Sequence, residues 1–403
     1  MDIAQSRRAL ILGVNGIRLV GKRSGVGRAI EAVLGCLGEM DHPFAEIRVY
    51  SPAPLDSSVK LPDRAQSVVL PSRLPPGLWE QLVLLRAHGS RHVLFCPSYV
   101  TPLLARCPTL LVHHGSYEGY KEAAQAYSLW HRLKARTMYD LSAHRATIVS
   151  TVSEYSRRDM ARFYRLDPAR IRVIPEGVDT RLFRPILDLT QLASWRQRVL
   201  GQDVPYVLYV GKPTRRRNLP NLLQAFARLK RERSLPHKLL LIGTSLPGTS
   251  FQEDIERLGI KEHVVDVGYM SHEDIVLAYN ACDVMVYPSS YEGFGMPVLE
   301  AMACGTPVIA IDNTAFPEFA GGVARLLPDA NVETLANGIA DVIFDPKQRE
   351  HMARQGPVRA ADYDWHLVTA KYLQLLVQLT TSVPIERVVP RSSPSTGVTG
   401  VAE

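Results

Sequence analysis

The chain has 403 residues, 46% of them apolar and 22% charged, an ordinary globular balance with room for two domains that each bury a core. Its five cysteines (Cys36, Cys96, Cys107, Cys282 and Cys304) are scattered and odd in number, which argues against a disulfide framework or a zinc site and for a reducing compartment. The net charge of +7 comes without aromatic–basic interleaving or a nucleic-acid module, so nucleic acid is not an expected partner.

In chain order, Arg7-Arg8 precedes only Ala9-Leu10-Ile11-Leu12, too short for a signal-peptide core and well shaped as a first buried strand. No apolar run approaches the ~20 residues of a membrane helix, so a soluble, cytoplasmic protein is expected. Strands are predicted at 9–14, 46–51, 92–96, 109–113, 147–152 and 171–174, with helical patterns between them. Gly21-Lys22-Arg23-Ser24-Gly25-Val26-Gly27-Arg28 opens a helix whose apolar face holds Ala29, Val33, Leu34 and Leu37; the glycine spacing is not a dinucleotide fingerprint. His113 and His114 end a strand. Around 127–141 the apolar spacing predicts a helical core face, with Trp130 read as packing. Between Trp130 and Arg172, ten Lys/Arg stand against four acids, a surplus fitting either an anionic membrane or solvated helix faces. Ser153 is the expected N-cap of a helix with Glu154 in its first turn, and Pro175-Glu176-Gly177-Val178-Asp179 forms a turn after a strand.

A polar stretch at 184–205 separates this series from a second one, with strands at 206–210, 238–242, 264–267, 284–287, 307–311 and 324–327. Two such alternating series predict an α/β protein of two doubly wound domains, 1–184 and 185–380, facing a central cleft where ligands bind beyond the carboxyl ends of the strands. A last helix is expected at 365–379, and the Ser/Thr/Pro/Gly-rich 381–403 reads as a disordered tail.

The chemistry concentrates in the second series. Val210-Gly211-Lys212-Pro213-Thr214-Arg215-Arg216-Arg217-Asn218-Leu219 leaves a strand and enters a helix, with Asn218 the expected N-cap. Cations at a strand's carboxyl end beside a helix start suit a diphosphate. Ser290-Tyr291-Glu292-Gly293-Phe294-Gly295-Met296-Pro297 then leads into a helix carrying Glu300, eight positions after Glu292. Glycines let backbone N–H groups approach an anion, while the added carboxylates need another partner such as sugar hydroxyls. A nucleotide sugar meets both demands. The Asp362-Tyr363-Asp364 pair sits at a helix start, away from this loop, and reads as a cap, not a metal motif.

These segments resemble the Glu-x7-Glu motif and flanking strands of retaining glycosyltransferases of family four, whose two Rossmann-like domains form the GT-B fold. The resemblance spans roughly residues 8 to 380 and implies a metal-independent retaining enzyme with no cofactor. It would move a hexosyl group, mannosyl or glucosyl, from a nucleotide diphosphate sugar to a saccharide or lipid-linked acceptor in bacterial cell-surface polysaccharide synthesis. It also implies the residue roles. Glu300 would take the ribose hydroxyls, and Glu292 the region of the sugar's 3-hydroxyl. Gly293 and the Phe294-Gly295 backbone would run along the sugar and phosphate. Lys212, Arg216 and Arg217 would face the diphosphate, helped by Gly25 and Gly27, and His113 would hold the sugar's 6-hydroxyl. Three positions depart from the family pattern: Lys212 stands for an Arg, Arg217 for a Lys, and His114 for an Asp. The last helix would cross back to the first domain. Two alternatives keep the architecture, a nucleotide-sugar epimerase or hydrolase and a silent subunit that only binds nucleotide sugar.

Overall fold

The computed structural model describes residues 10–21, 25–87, 89, 92–116, 128–244 and 251–381. Residues 382–403 of the expected tail, Lys22 to Ser24 of the first glycine loop, and the side chain of Trp130 lie outside the described residues. The first domain is a parallel sheet of β1 (Ile11–Asn15), β2 (Glu46–Ser51), β3 (Ala65–Val69), β4 (His92–Cys96), β5 (Thr109–His113), β6 (Ile148–Thr151) and β7 (Ile171–Val173) in the order 3-2-1-4-5-6-7. The second has β8 (Tyr206–Val210), β9 (Lys238–Ile242), β10 (Val264–Asp266), β11 (Val284–Tyr287), β12 (Val308–Ile311) and β13 (Arg325–Leu327) in the order 10-9-8-11-12-13, again all parallel.

Helices cover both faces of each sheet, which is why β4, β5 and β8 are largely apolar and are buried at every position. The strand that no pattern announces is β3. It is an edge strand, Ala-Gln-Ser-Val-Val, with no fully buried residue, so burial imposes no apolar run on it. In each sheet the chain reverses its winding beside the first strand, at β1/β4 and β8/β11, and a crevice opens there at the carboxyl ends.

The helix Leu189–Leu200 docks on the second domain, where the Trp195 indole N–H donates to Asp274 at 3.0 Å. The last helix, Trp365–Thr380, returns to the first: the Tyr372 ring lies 5.6 Å from Phe95, and His366 Nε2 lies 2.8 Å from the Glu39 carboxylate. Asp364 caps that helix, accepting from the His366 N–H at 2.9 Å, so Asp362-Tyr363-Asp364 is a structural turn. All five cysteines are buried free thiols; burial pushes Cys36 up to about 11 and Cys107 up to about 12. Among the described residues, no helix is long and apolar enough to cross a membrane.

Candidate active site

A cavity of about 460 Å³ lies between the domains, walled by loops at the carboxyl ends of β1, β5, β8, β9 and β11. Its floor is the loop after β11. Pro297 in the first turn of the helix Met296–Ala303 and Gly295 at φ 111° let the chain turn sharply from loop to helix. Glu292 in that loop is only 8% exposed. Its Oε1 accepts hydrogen bonds from the Ser289 hydroxyl at 3.0 Å and the Tyr287 hydroxyl at 3.1 Å, and pairs with Arg216. Arg217 Nε lies 3.3 Å from the same oxygen, and its guanidinium stands 5.0 Å over the Tyr287 ring. Burial alone would push the Glu292 carboxyl up, but the two guanidiniums overrule it and hold it below the ordinary carboxylate range.

The arginines arrive through the loop after β8. Gly211 has φ 141°, and a Cβ there would lie 1.7 Å from Arg217 Nη1, so the path of that side chain requires glycine. Asn218 stands at the expected N-cap position, its carbonyl accepting from the Asn221 N–H at 3.1 Å, but its side chain does not cap the helix. The residue adopts φ 48°, and its side chain donates instead to the Pro288 carbonyl at 2.8 Å. With the Ser290 N–H donating to the Arg216 carbonyl at 2.7 Å, it staples the arginine loop to the Glu292 loop. Arg216, Arg217 and the exposed Lys212 line the cavity.

Glu300, 6% exposed, accepts from the Tyr279 hydroxyl at 3.1 Å and from Arg28 at 2.6 Å. Arg28 belongs to the first-domain helix Gly25–Glu39, so this ion pair bridges the cleft. Gly25 faces the cavity, while Gly27 is buried in the same first turn and does not line it. Gly293 is pressed against the first domain: a Cβ on it would lie 1.9 Å from the His114 carbonyl oxygen. The Phe294 ring turns away and stacks on Phe319 with centroids 4.5 Å apart, leaving its backbone at the cavity.

The histidine assignment is corrected. His113 is fully buried, its ring 4.9 Å from Tyr99 and 5.3 Å from Tyr164, and neither nitrogen finds a hydrogen-bond partner. Burial pushes it down to about 3, so it is a neutral packing residue without access to a sugar. As the last residue of β5 it takes the inward register, and the next residue takes the cavity side. His114 Nδ1 lies 2.7 Å from Glu176 and Nε2 lies 2.8 Å from the Pro97 carbonyl. Burial opposes its charge, but Glu176 outweighs that and raises its pKa. With an acceptor at each nitrogen, both must donate, which makes the ring an imidazolium. Sequence reasoning gave Arg28 no role of its own and did not foresee Ile242, Tyr269 and Met270 in the cavity wall. Among the described residues, no group of three or more His, Cys, Asp or Glu is placed to hold a metal ion.

Two doubly wound domains around a cavity of paired carboxylates and guanidiniums define a GT-B protein. Residues 23–182 match the model described as Glycosyltransferase Family 4, and residues 194–359 match that of Glycosyl transferases group 1. The chain belongs to the glycosyltransferases of family four. It is similar to O-antigen chain mannosyltransferase B of Escherichia coli, 30% identical over 240 residues, covering 56% of this chain and 59% of that protein. It is also similar to MMP alpha-(1->4)-mannosyltransferase of Mycolicibacterium hassiacum, 29% identical over 273 residues, covering 64% of this chain and 62% of that protein. The alignments therefore span about three fifths of either relative. Sucrose-phosphate synthase of Thermosynechococcus elongatus shares the fold at a TM-score of 0.74 with 22% identity, covering 93% of this chain and 100% of that one. HepE of Anabaena, in complex with UDP and glucose, superposes at 0.71 with 19% identity, covering 91% and 98%.

Proposed function

We propose that this protein is a retaining hexosyltransferase that uses a nucleotide diphosphate sugar, of mannosyl or glucosyl type, and a saccharide or lipid-linked acceptor of bacterial cell-surface polysaccharide synthesis. The observation that carries the reading is the convergence of Glu292, Glu300, Lys212, Arg216 and Arg217 on one interdomain cavity. Glu300 suits ribose hydroxyls and Glu292, held ionised, suits hydroxyls of the sugar. The cations suit the diphosphate, whose developing charge they stabilise as the anomeric C–O bond breaks. The diphosphate keeps the electron pair of that bond. The acceptor oxygen then bonds the anomeric carbon on the same face, and its proton passes to the leaving diphosphate. No protein base is required, and the side chains supply the charge that other enzymes take from a metal. The mannosyltransferase names of the relatives favour a mannosyl donor.

Incubating the protein with GDP-, UDP- and ADP-hexoses, with and without acceptor, tests the reading. Nucleotide release that depends on acceptor supports transfer; equal release without it would indicate a hydrolase, and none would indicate a silent binder.

The first domain's surface supports a reading of where the enzyme works. On the helix Leu129–Arg145, Leu129, Leu133 and Leu141 are exposed, as are Arg136 and Arg145. Apolar side chains beside cations suit an anionic bilayer, so we place the enzyme at the inner face of the cytoplasmic membrane. Sedimentation with phosphatidylglycerol vesicles should carry the protein down at low salt and less at high salt; equal binding to phosphatidylcholine vesicles would contradict a charge-led contact.

A further inference from the structure

We infer that Glu318 is a positioning residue that latches the second domain onto the first and so fixes the Glu292 loop; the kinetic half of the inference rests on the transfer reaction proposed above. Glu318 lies on the short second-domain helix Phe316–Ala320. Arg359 anchors that helix, donating to the backbone carbonyls of Glu318 at 3.0 Å and Phe319 at 3.1 Å. The Glu318 carboxylate crosses to the first domain, where Oε2 accepts from the Glu154 N–H at 2.8 Å and Oε1 from the Tyr155 N–H at 2.7 Å. These amides open the helix Glu154–Tyr164 and have no acceptor within it. That helix already has its own cap, since the Ser153 hydroxyl accepts from the Ser156 N–H at 3.0 Å. Glu318 is therefore a second cap, delivered by the other domain and charged as a helix start favours.

The seam it closes runs beside Glu292. The Gly293 carbonyl accepts from the Ser153 hydroxyl at 2.7 Å and the Ser156 hydroxyl at 3.2 Å. The Tyr291 hydroxyl accepts from the Ser116 N–H at 2.8 Å and donates to Asp159 at 3.2 Å. Residues on both sides of Glu292 are thus held by the N-terminal end of one first-domain helix and by the loop after β5. When the domains part, the Glu154 and Tyr155 amides go back to water and the Glu292 loop loses its first-domain contacts. Glu318 does not line the cavity, so its effect on transfer is indirect.

Hydrogen exchange of the full chain, comparing wild type with Glu318→Ala and Glu318→Gln, tests the latch; the Gln variant keeps the side-chain shape, which separates a lost charge from a lost fold. The Glu154 and Tyr155 amides should exchange at least about tenfold faster in both variants. Turnover should fall about a hundredfold, the effect of a misplaced catalytic loop, while the Kd for whichever of GDP or UDP binds the wild type stays unchanged. Unchanged exchange in both variants would overturn the latch. Unchanged kcat, or a loss of nucleotide affinity matching the loss of kcat, would overturn the positioning role. If the wild type transfers no sugar the proposed function fails, and the exchange result still decides the latch.

Discussion

Glu292 is ionised because Arg216 and Arg217 converge on one of its oxygens in a site that would otherwise neutralise it. Removing one of these cations has two consequences. Arg217→Ala should cut kcat by about 10²–10³-fold, as loss of one charge-stabilising donor does, and steady-state kinetics on the acceptor-dependent reaction would show it. Wild-type turnover would contradict a role at the leaving group. Glu300→Ala should instead raise the donor KM and leave kcat little changed, because a ribose contact is equal in ground and transition states. His114 makes a pH prediction. Its pKa is raised in the folded protein, so its contribution to stability is full below about pH 6.5 and is lost as pH rises through the raised value. Thermal unfolding of His114→Gln should therefore approach wild type on the alkaline side and fall short of it at mildly acidic pH; a constant gap would contradict the imidazolium. The Glu292–Glu300 pair and the arginine run were legible because each sits on one continuous loop-and-helix segment. The choice between His113 and His114 was not legible, since a strand's last residue and its successor differ by one step of register that only the packing of Tyr99 and Tyr164 decides.

Among the elements, the loop after β11 is the one whose conformation most constrains the site. Gly293→Ala would bring a Cβ within 1.9 Å of the His114 carbonyl oxygen, a backbone atom that cannot swing aside as a side chain would. The variant should unfold near the wild-type temperature, because each domain keeps its own core, and yet lose most of its turnover. Calorimetry together with activity measurements would check this, and full activity would show that the seam need not close. Strands buried on both faces announced themselves as apolar runs, whereas β3, half in solvent, carried no such signal. The Asn218 cap position was legible but the partner of its side chain was not, for a related reason. A polar residue before a helix normally caps it, but here the neighbouring Pro288 carbonyl, brought in by another loop, takes the side chain.

At the scale of the whole molecule, the cleft is tied from both walls: Arg28 reaches Glu300 at one end, and Glu318 reaches the helix Glu154–Tyr164 at the other. Neither tie could be read from the chain, because the partners lie 272 and 164 positions apart and meet only when two independently wound sheets face each other. A ribose on Glu300, as proposed, would compete with the Arg28 tie, so nucleotide should loosen that edge of the cleft while the Glu318 seam stays closed. In the proposed reaction positive side chains absorb the charge released when the sugar leaves, and transfer keeps to one face. NMR of the product formed from an α-linked donor in the presence of EDTA measures both parts together. An α-linked product at an undiminished rate is the expected result; a β-linked product, or activity lost in EDTA and restored by magnesium or manganese, would contradict the account.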